Sequence, residues 1–292
     1  MSVYRKQLKI SKISDKIQTG FLWALCLSAI LLIISLLFMV VGKGLSQLSL
    51  DFFYKMPEEL DKGGGISTVL FNSFYMLILS LIFSIPIGIG SGIYLAEYAP
   101  DNKLTAMIRV CVEGLASVPS IVFGLFGLAI FVEYFEIGLT ILGGAVSLGL
   151  LNLPVLTRVT EEAVRAVPED VRSSAIALGA TKFQTIMRVV IPSALTGIMT
   201  GISLVAGRAY GESAVIILAA GTSTSGVMWD FSLFAPGETL AVHLWYVQSE
   251  AIVEDASAIA EKSAAVLLLM VLLINLIIRV PAWLHHRKLN RR

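Results

Sequence analysis

Hydrophobic residues occur in long runs separated by short polar segments, a pattern typical of helices that cross a lipid bilayer. Such a helix needs about 20 mostly apolar residues. Six runs approach or exceed this length and predict six transmembrane helices, at about residues 21–41, 68–95, 108–132, 138–159, 193–220 and 264–278. The first run has no charged residue, is too long for the core of a signal peptide and lacks a small-residue cleavage motif after it. We therefore interpret it as a retained span.

The distribution of Lys and Arg predicts the orientation of these helices, because positive charge collects in cytoplasmic segments. If the N-terminus is cytoplasmic, the basic residues left in outer segments are Lys43, Lys55, Lys62 and Lys262. The opposite orientation would invert this bias. We therefore predict that both termini are cytoplasmic, with basic tails at 1–19 and 281–292, a first transmembrane helix at 20–42 and one further membrane domain at 63–280.

The composition also indicates a protein dissolved in lipid. Of the 292 residues, 56% are hydrophobic and 15% are charged, whereas soluble domains carry about 25% charged residues. The formal net charge of +1 gives no indication of a nucleic acid partner. The two cysteines and three histidines form no disulfide framework, no metal-binding spacing and no H-E-x-x-H pattern, so we predict no metal site. Because the chain also lacks a P-loop, any ATP-driven step must use an ATPase on another subunit.

The long cytoplasmic connection at 161–192 has the pattern of two short helices. Pro168 followed by two acidic residues predicts the start of the first, and Gly179 predicts its end. Thr181 is placed to cap the second. Apolar residues at helical spacing predict one stripe on each helix: Val171, Ala175 and Leu178 on the first, and Phe183, Ile186, Met187 and Val190 on the second. Either the membrane domain itself or a partner protein must cover these stripes, and the pattern leaves both open.

The spacing within this connection resembles the EAA loop in the permeases of ATP-binding-cassette (ABC) importers. That motif is E-A-A, three residues, glycine, nine residues and I-x-L-P. Here S-S-A at 173–175, a glycine at 179 and V-V-I-P at 189–192 keep the spacing. Serines stand at 173 and 174, where the motif has glutamate and alanine. We call residues 161–192 the EAA-like loop. The resemblance implies coupling to a cytoplasmic ATPase through the matching positions Ala175, Gly179 and Pro192. We expect the neighbouring residues of the loop to take part in this coupling: Glu169, Arg172, Ser173, Ser174 and Ala180.

Other segments resemble the phosphate importer permeases of the PstA type. They are S-V-P-S-I-V-F-G-L-F-G at 117–127, A-L-G-A-T-K at 177–182, G-R-A-Y-G-E-S-A at 207–214 and T-L-A-V-H-L-W at 239–245. The resemblance implies the type I ABC importer permease fold, with 63–280 as the permease domain, in a prokaryotic plasma membrane. It also implies four kinds of partner: membrane lipid, a second permease (PstC type), an ATPase dimer (PstB type) and an external phosphate-binding protein (PstS type). In such a complex this chain is not an enzyme and binds no cofactor, because the partner ATPase uses the ATP.

Two charged residues, Arg208 and Glu212, lie within the fifth predicted span. A charge at mid-membrane costs about 2.5–3.5 kcal/mol on insertion scales. At positions i and i+4 of one helix the two residues would share a face and partly neutralise each other. Either they join helices as an ion pair, or they line a polar path for an anion. Arginine favours the path, because its planar guanidinium makes paired contacts with phosphate oxygens. Ser117, Ser120 and Asn152 are further candidates for lining it.

Other functions remain as alternatives. A permease for sulfate or molybdate would share the EAA-like loop, although the G-R-A-x-G-E stretch favours phosphate. A stand-alone ion-coupled anion carrier would use Arg208 and Glu212 for anion and proton. That reading predicts an internal repeat, which the sequence does not show, and leaves the loop unexplained. An intramembrane hydrolase is disfavoured, because the predicted spans contain no serine–histidine set, no aspartate pair and no zinc-binding helix.

Overall fold

The structure is a computed structural model that describes residues 2–58, 63–250 and 253–289, with side chains described within 15–58, 63–250 and 253–281. These residues are mostly helical. The single β-type pairing among them is an isolated bridge between Thr224 and Gly237. The predicted all-α fold is confirmed.

The helices are numbered in chain order. They are α1 Ser2–Ser46, α2 Asp51–Tyr54, α3 Ser67–Ile93, α4 Lys103–Ala116, α5 Ser120–Gly127, α6 Ile141–Arg165, α7 Glu169–Ala177, α8 Lys182–Thr185, α9 Ile191–Tyr210, α10 Ala214–Ala219, α11 Leu240–Ser249 and α12 Ala256–Leu289. Short π-helical segments continue α3, α5 and α8: Tyr94–Tyr98, Leu128–Tyr134 and Ile186–Val190.

Five helical stretches in the described part of the chain are long and apolar enough to cross a membrane. They are Asp15–Ser46, Ser67–Tyr98, Ile141–Arg165, Lys182–Tyr210 and Ala256–Pro281. A sixth stretch consists of α4 together with α5 and its π-helical continuation. It is long enough to cross a membrane only when both halves are taken as one span, and these halves meet at an angle of 92°. All six predicted hydrophobic segments are therefore found. The span predicted at 108–132 is present as two helices with a sharp bend between them.

The bend between α4 and α5 falls at Pro119. This residue has extended backbone torsions, with φ −57° and ψ 140°, and occupies the N-cap position of α5. Proline has no N–H to continue the ladder of α4, and its ring disfavours helical backbone at the preceding residue. Hydropathy does not detect such a break, because the residues on both sides remain apolar.

Helix α6 is at the centre of the bundle, with α3 packed along one side of it and α9 along another, and α12 packs in turn against α9. The backbones of α3 and α6 touch at Gly92, where a side chain would collide with the Thr157 carbonyl and the Thr160 side chain. Membrane helices associate through such close contacts of small residues, since lipid supplies no hydrophobic drive between them. The apolar core around α6 includes Met76, Leu77, Leu148, Leu151, Ala206 and Val215.

Helix α1 lies at the edge of the bundle and chiefly contacts α12. Gly44 lies against Glu261 and Ala265, and the Lys43 ammonium is 3.6 Å from a carboxylate oxygen of Glu261. The apolar side chains of α1 are largely uncovered, and Phe38 is 80% exposed. This is the surface expected of a helix that faces lipid.

Smaller apolar clusters close the two ends of the bundle. The cluster beside the EAA-like loop contains Val164, Val167, Val190, Ala194 and Ile198, and we call this side the loop end. The cluster on the opposite side, the far end, contains Phe52, Ile66, Val69, Leu240, Val247 and Ile259.

Candidate functional site

The end of α9 places Arg208 and Glu212 in different local structures. The helix stops at Tyr210, and the N–H of Gly211 donates to the carbonyl of Arg208 at 3.2 Å. Glu212 lies beyond the helix, so the prediction that it shares a helix face with Arg208 is wrong. Glycine and serine on either side of Glu212 favour helix ends and turns over a continuous helix. Arg208 is half-buried, and among the described residues it has no carboxylate partner.

Arg208 lies at the level of a buried amide on α6. The contacts that fix the register of the two helices are Gly197 with Ala163, and Gly201 with Val159 and Leu156. Continuing this antiparallel register places Arg208 level with Asn152. The Asn152 side chain is fully buried, and neither its amide nitrogen nor its amide oxygen has a hydrogen-bond partner within the described ranges. A buried polar group in this state costs about 1–3 kcal/mol.

Ser84 of α3 lies at the same level, although the sequence pattern did not single it out. The contacts that fix this register are Gly149 with Ser80 and Phe83, and Gly88 with Leu156. Continuing the parallel register places Ser84 level with Asn152. Ser84 is fully buried, and no group in the described part of the chain pairs with its hydroxyl. The available signal was a serine inside the apolar run L-I-F-S-I-P, but only the packing of α3 on α6 shows its level in the bundle.

Two breaks in the membrane helices also lie close together: the bend at Pro119 between α4 and α5, and residues 211–213 between α9 and α10. Helix α5 packs against α10, with Gly124 against the Ala214 carbonyl and Gly127 against Ala219. This parallel register places Ser120 level with the break at 211–213. Irregular backbone at membrane depth is tolerated where protein or a water-filled cavity covers it. The structure therefore brings both breaks to one region of the bundle, beside Arg208.

Ser117 is placed differently from the other candidates. It is exposed, and its hydroxyl donates to the Glu113 carbonyl at 3.0 Å. Arg208, Asn152 and Ser120 thus lie at a similar level along the bundle, whereas Ser117 lies at the surface. Their roles in a substrate path stay predictions.

The EAA-like loop has the predicted form of a helix, a glycine turn and a second helix. Helix α7 begins directly after Pro168, and Gly179 has a positive φ of 86°. Thr181 then forms a capping box with Gln184. The Thr181 hydroxyl accepts from the Gln184 N–H at 3.3 Å, and the Gln184 side-chain oxygen accepts from the Thr181 N–H at 3.0 Å.

The apolar stripes of the loop are only partly buried. On the first helix Ala175 is buried, whereas Leu178 is 89% exposed, so the predicted stripe of three residues is wrong. Leu178 occupies the C-cap position outside the helix, where helical spacing no longer sets its direction. On the second, Ile186 and Val190 are buried by the bundle, and Phe183 is exposed. The bundle therefore covers part of the loop and leaves the rest open.

The remaining predicted coupling residues take three positions. Glu169, Ser173 and Ser174 are exposed on α7. Arg172 is directed into the protein, towards Glu97 at the end of α3. Ala180 is half-buried after the glycine turn, and Pro192 lies in the first turn of α9.

The far end contains a buried pair that the sequence pattern did not single out. A carboxylate oxygen of Glu238 lies 3.1 Å from Nδ1 of His243, and both side chains are less than one-tenth exposed. Their spacing is not a recognised motif. The pair lies where the 221–239 segment enters α11, and it fixes the start of that helix.

The sequence matches the family of binding-protein-dependent transport system inner membrane components over residues 85–290. A probable ABC transporter permease protein, YqgI of Bacillus subtilis, is 43% identical over 96% of this chain and 98% of its own length. The phosphate transport system permease protein PstA of Yersinia pestis is 32% identical over 96% of this chain and 94% of its own length.

Two solved structures have the same fold. One, an inward-facing MetNI methionine ABC transporter, matches with a TM-score of 0.62 and 20% identity, over 82% of this chain and 99% of its own. The other, a bacterial ABC transporter involved in alginate import, matches with a TM-score of 0.63 and 13% identity, over 92% and 97%. These matches confirm the predicted ABC importer permease fold. The chain is a multi-pass membrane protein that belongs to the binding-protein-dependent transport system inner membrane component family and is similar in sequence to the PstA-type permeases.

Proposed function

We propose that this chain is one permease subunit of an ATP-driven importer of inorganic phosphate. It forms half of the translocation path together with a second permease of the PstC type. A dimer of PstB-type ATPases acts on it through the EAA-like loop, and a PstS-type binding protein delivers phosphate at the far end. The observation that carries this proposal is the exposed apolar surface of the EAA-like loop.

That surface is defined by Ile176, Leu178, Phe183 and Met187, which are 47–89% exposed. Burying one large apolar side chain stabilises a contact by about 1.5–3 kcal/mol. The bundle's own loop end already covers Ala175, Ile186 and Val190, so a partner protein is the remaining cover. A groove on an ATPase would accept α7, and closure of the ATPase dimer on ATP would then move this loop.

The arrangement of the termini supports a cytoplasmic location for the loop. Helix α1 meets the start of α12 at the far end, at Gly44 and Glu261. Its N-terminal end therefore runs towards the loop end. Helix α12 runs back past α9, where Nε of Arg279 donates to the Ser203 hydroxyl at 3.1 Å. Both termini then share a side with the EAA-like loop, in agreement with the distribution of Lys and Arg.

Phosphate as the substrate is supported by Arg208. Arginine is charged at any ordinary pH and binds phosphate oxygens with a planar set of donors. Since no carboxylate holds Arg208 within the described residues, its donors are available to an anion. The buried amide of Asn152 and the hydroxyls of Ser84 and Ser120 lie at nearby levels and add neutral donors. The names of the PstA relatives agree with this chemistry.

The chain is proposed to be non-catalytic. Its sequence has no P-loop, so hydrolysis of ATP belongs to the partner subunit, and we expect no cofactor to bind here. This chain contributes half of the path for the anion, and its EAA-like loop is the surface on which the ATPase acts.

The test is uptake of radiolabelled phosphate by proteoliposomes that contain the purified complex. ATP is supplied on the side of the vesicle membrane where the ATPase lies, either in the lumen or outside. We expect ATP-dependent uptake by the wild type, a large loss with Arg208→Gln and no loss with Lys103→Gln. The control removes an exposed positive charge at the start of α4.

Excess sulfate and molybdate serve as competitors in the same assay. Weak competition supports phosphate, whereas strong competition assigns the chain to another oxyanion. Unchanged uptake by Arg208→Gln, at normal protein levels, would show that this arginine is only a structural part of the bundle.

A further inference from the structure

Arg172 is the charged side chain of α7 that turns into the protein. It is 14% exposed, and its partner Glu97 is 10% exposed. Nε and Nη2 of Arg172 donate to the same carboxylate oxygen of Glu97, at 3.1 and 3.0 Å. Glu97 lies in the π-helical segment Tyr94–Tyr98 that ends α3. The contact therefore joins the EAA-like loop to a helix that is distant in sequence.

The same guanidinium also holds the end of α6. Nη2 donates to the Val164 carbonyl at 2.8 Å, and Nη1 donates to the Val167 carbonyl. The last carbonyls of a helix have no partner within the helix, so a side-chain donor stabilises them. One side chain thus connects α7, the end of α6 and the end of α3.

A second contact reaches the same segment from the other half of the loop. The ammonium nitrogen of Lys182, the first residue of α8, lies 4.9 Å from the centre of the Tyr98 ring. This is the geometry of a cation–π interaction. The two contacts lie on either side of the glycine turn at 179. Both halves of the loop therefore hold the end of α3.

The segment Tyr94–Tyr98, which both halves of the loop contact, has π-helical form. Its closing bond runs from the Ala99 N–H to the Tyr94 carbonyl at 2.9 Å. π-Helical turns are rare and are frequent at functional sites, and this one forms the end of α3. Helix α3 continues from here to Ser84, at the level of Arg208 and Asn152. Movement of the segment would consequently reach the proposed path.

We propose that Glu97 and Arg172 are positioning residues that transmit movement of the EAA-like loop to α3. This inference rests on the proposed function. Covalent continuity already links the loop to α6 and α9, at its two ends. The Glu97–Arg172 pair adds α3, so that helices from three parts of the chain move together when the ATPase moves α7.

The test compares Glu97→Gln, Arg172→Gln and the double variant in the complete complex with its ATPase and binding protein. Glu97→Gln keeps the shape of the side chain and leaves Arg172 in place to hold the α6 carbonyls. We expect ATP hydrolysis to persist, while the number of substrate molecules imported per ATP falls by about two- to thirtyfold. Because the pair acts as a unit, the double variant should lose no more than the stronger single variant.

Glu162→Gln is the matched control, since this exposed glutamate also lies at the loop end but pairs with Arg158 instead. It should import as the wild type does. If Glu97→Gln assembles normally and imports as much per ATP as the control, the inference is overturned. Equal losses of ATP hydrolysis and uptake would also overturn it, because they would show that the pair only keeps the loop folded.

A readout that does not depend on the substrate separates this inference from the proposed function. The exposed cysteines Cys26 and Cys111 are first replaced by serine, and a cysteine is placed on α3 by Ser91→Cys. ATP should change its rate of labelling in the wild-type background and not with Glu97→Gln. If the complex shows this difference but imports no phosphate, the substrate assignment fails and the link stands. An identical response in both backgrounds refutes the link.

Discussion

Substitutions at Gly179 separate the backbone geometry of the EAA-like loop from its surface chemistry. Gly179 has a φ of +86°, and apart from its chain neighbours no residue has a heavy atom within 4 Å of the position that a Cβ would take. A side chain there meets no steric obstacle, so its effect is confined to backbone strain. For most L-residues the left-handed conformation costs about 1–2 kcal/mol. That strain lowers the population of the native turn by a factor of about 5–30.

Gly179→Val should therefore reduce ATP-coupled uptake while the amount of protein in the membrane stays unchanged. Gly179→Asn is the matched control, because asparagine adopts left-handed backbone more readily, and it should keep most of the activity. Gly179→Asp has the shape of asparagine with an added charge. It should leave the bundle folded and uncouple ATP hydrolysis from transport, if the turn faces the ATPase.

The assay measures ATP hydrolysis and uptake together, in proteoliposomes that contain the whole complex. The reasoning predicts the order wild type, Gly179→Asn, Gly179→Val for uptake per ATP. Equal values for valine and asparagine would refute it, since strain at this turn would then have no effect on coupling. Substrate-stimulated ATP turnover and uptake at wild-type levels with Gly179→Asp would show that the turn does not meet the ATPase.

Three further predictions concern single side chains. Asn152→Leu replaces an unpaired buried amide by an apolar group of similar size, so the protein should be at least as stable as the wild type, whereas uptake should fall. Loss of the folded protein in a detergent melting assay would contradict this. Phe183→Ala removes an exposed ring and should weaken binding of the ATPase, measured by co-purification. The melting temperature of the permease alone should not change. Unchanged co-purification would count against the proposed surface. Thr181→Ala removes the capping box and should destabilise the second helix of the loop by about 1 kcal/mol. The measurement is the rate of proteolysis within 180–190, which should increase. An unchanged cleavage rate would mean that the bundle, and not the cap, holds this helix.

The parts of the fold that depend on local chemistry could be predicted from the sequence. The start of α7 after Pro168, the turn at Gly179 and the cap at Thr181 each depend on the preferences of one residue and its neighbours. The structure confirms all three. The long hydrophobic runs were equally visible, because membrane helices must be apolar along about 20 residues.

The breaks within spans could not be located by hydropathy. Helix α4 ends at Ala116, shortly before Pro119, and α9 ends at Tyr210, before Gly211, and both ends fall inside spans that hydropathy predicts as continuous. The spacing of Arg208 and Glu212 therefore suggested one helix face, although the helix stops between them. Leu178 was misplaced for a related reason, because helical spacing was extended one residue beyond the end of α7.

The level of Ser84 and Asn152, and the contact between Glu97 and Arg172, depend on how distant helices pack. The shared level of Ser84 and Asn152 results from the close packing of α3 on α6, with glycines at the contacts. The contact between Glu97 and Arg172 joins residues that are 75 positions apart in sequence. Neither leaves a local pattern, so both required the three-dimensional structure.

Cross-linking from position 178 tests most directly whether an ATPase acts on this loop. Leu178→Cys, in a chain that lacks Cys26 and Cys111, would present an 89% exposed position for coupling to a partner. A cross-linked product that contains the ATPase, with a yield that changes when ATP is added, is the result predicted here. Labelling of this cysteine in intact cells by a reagent that cannot cross the membrane would place the loop outside and contradict the account.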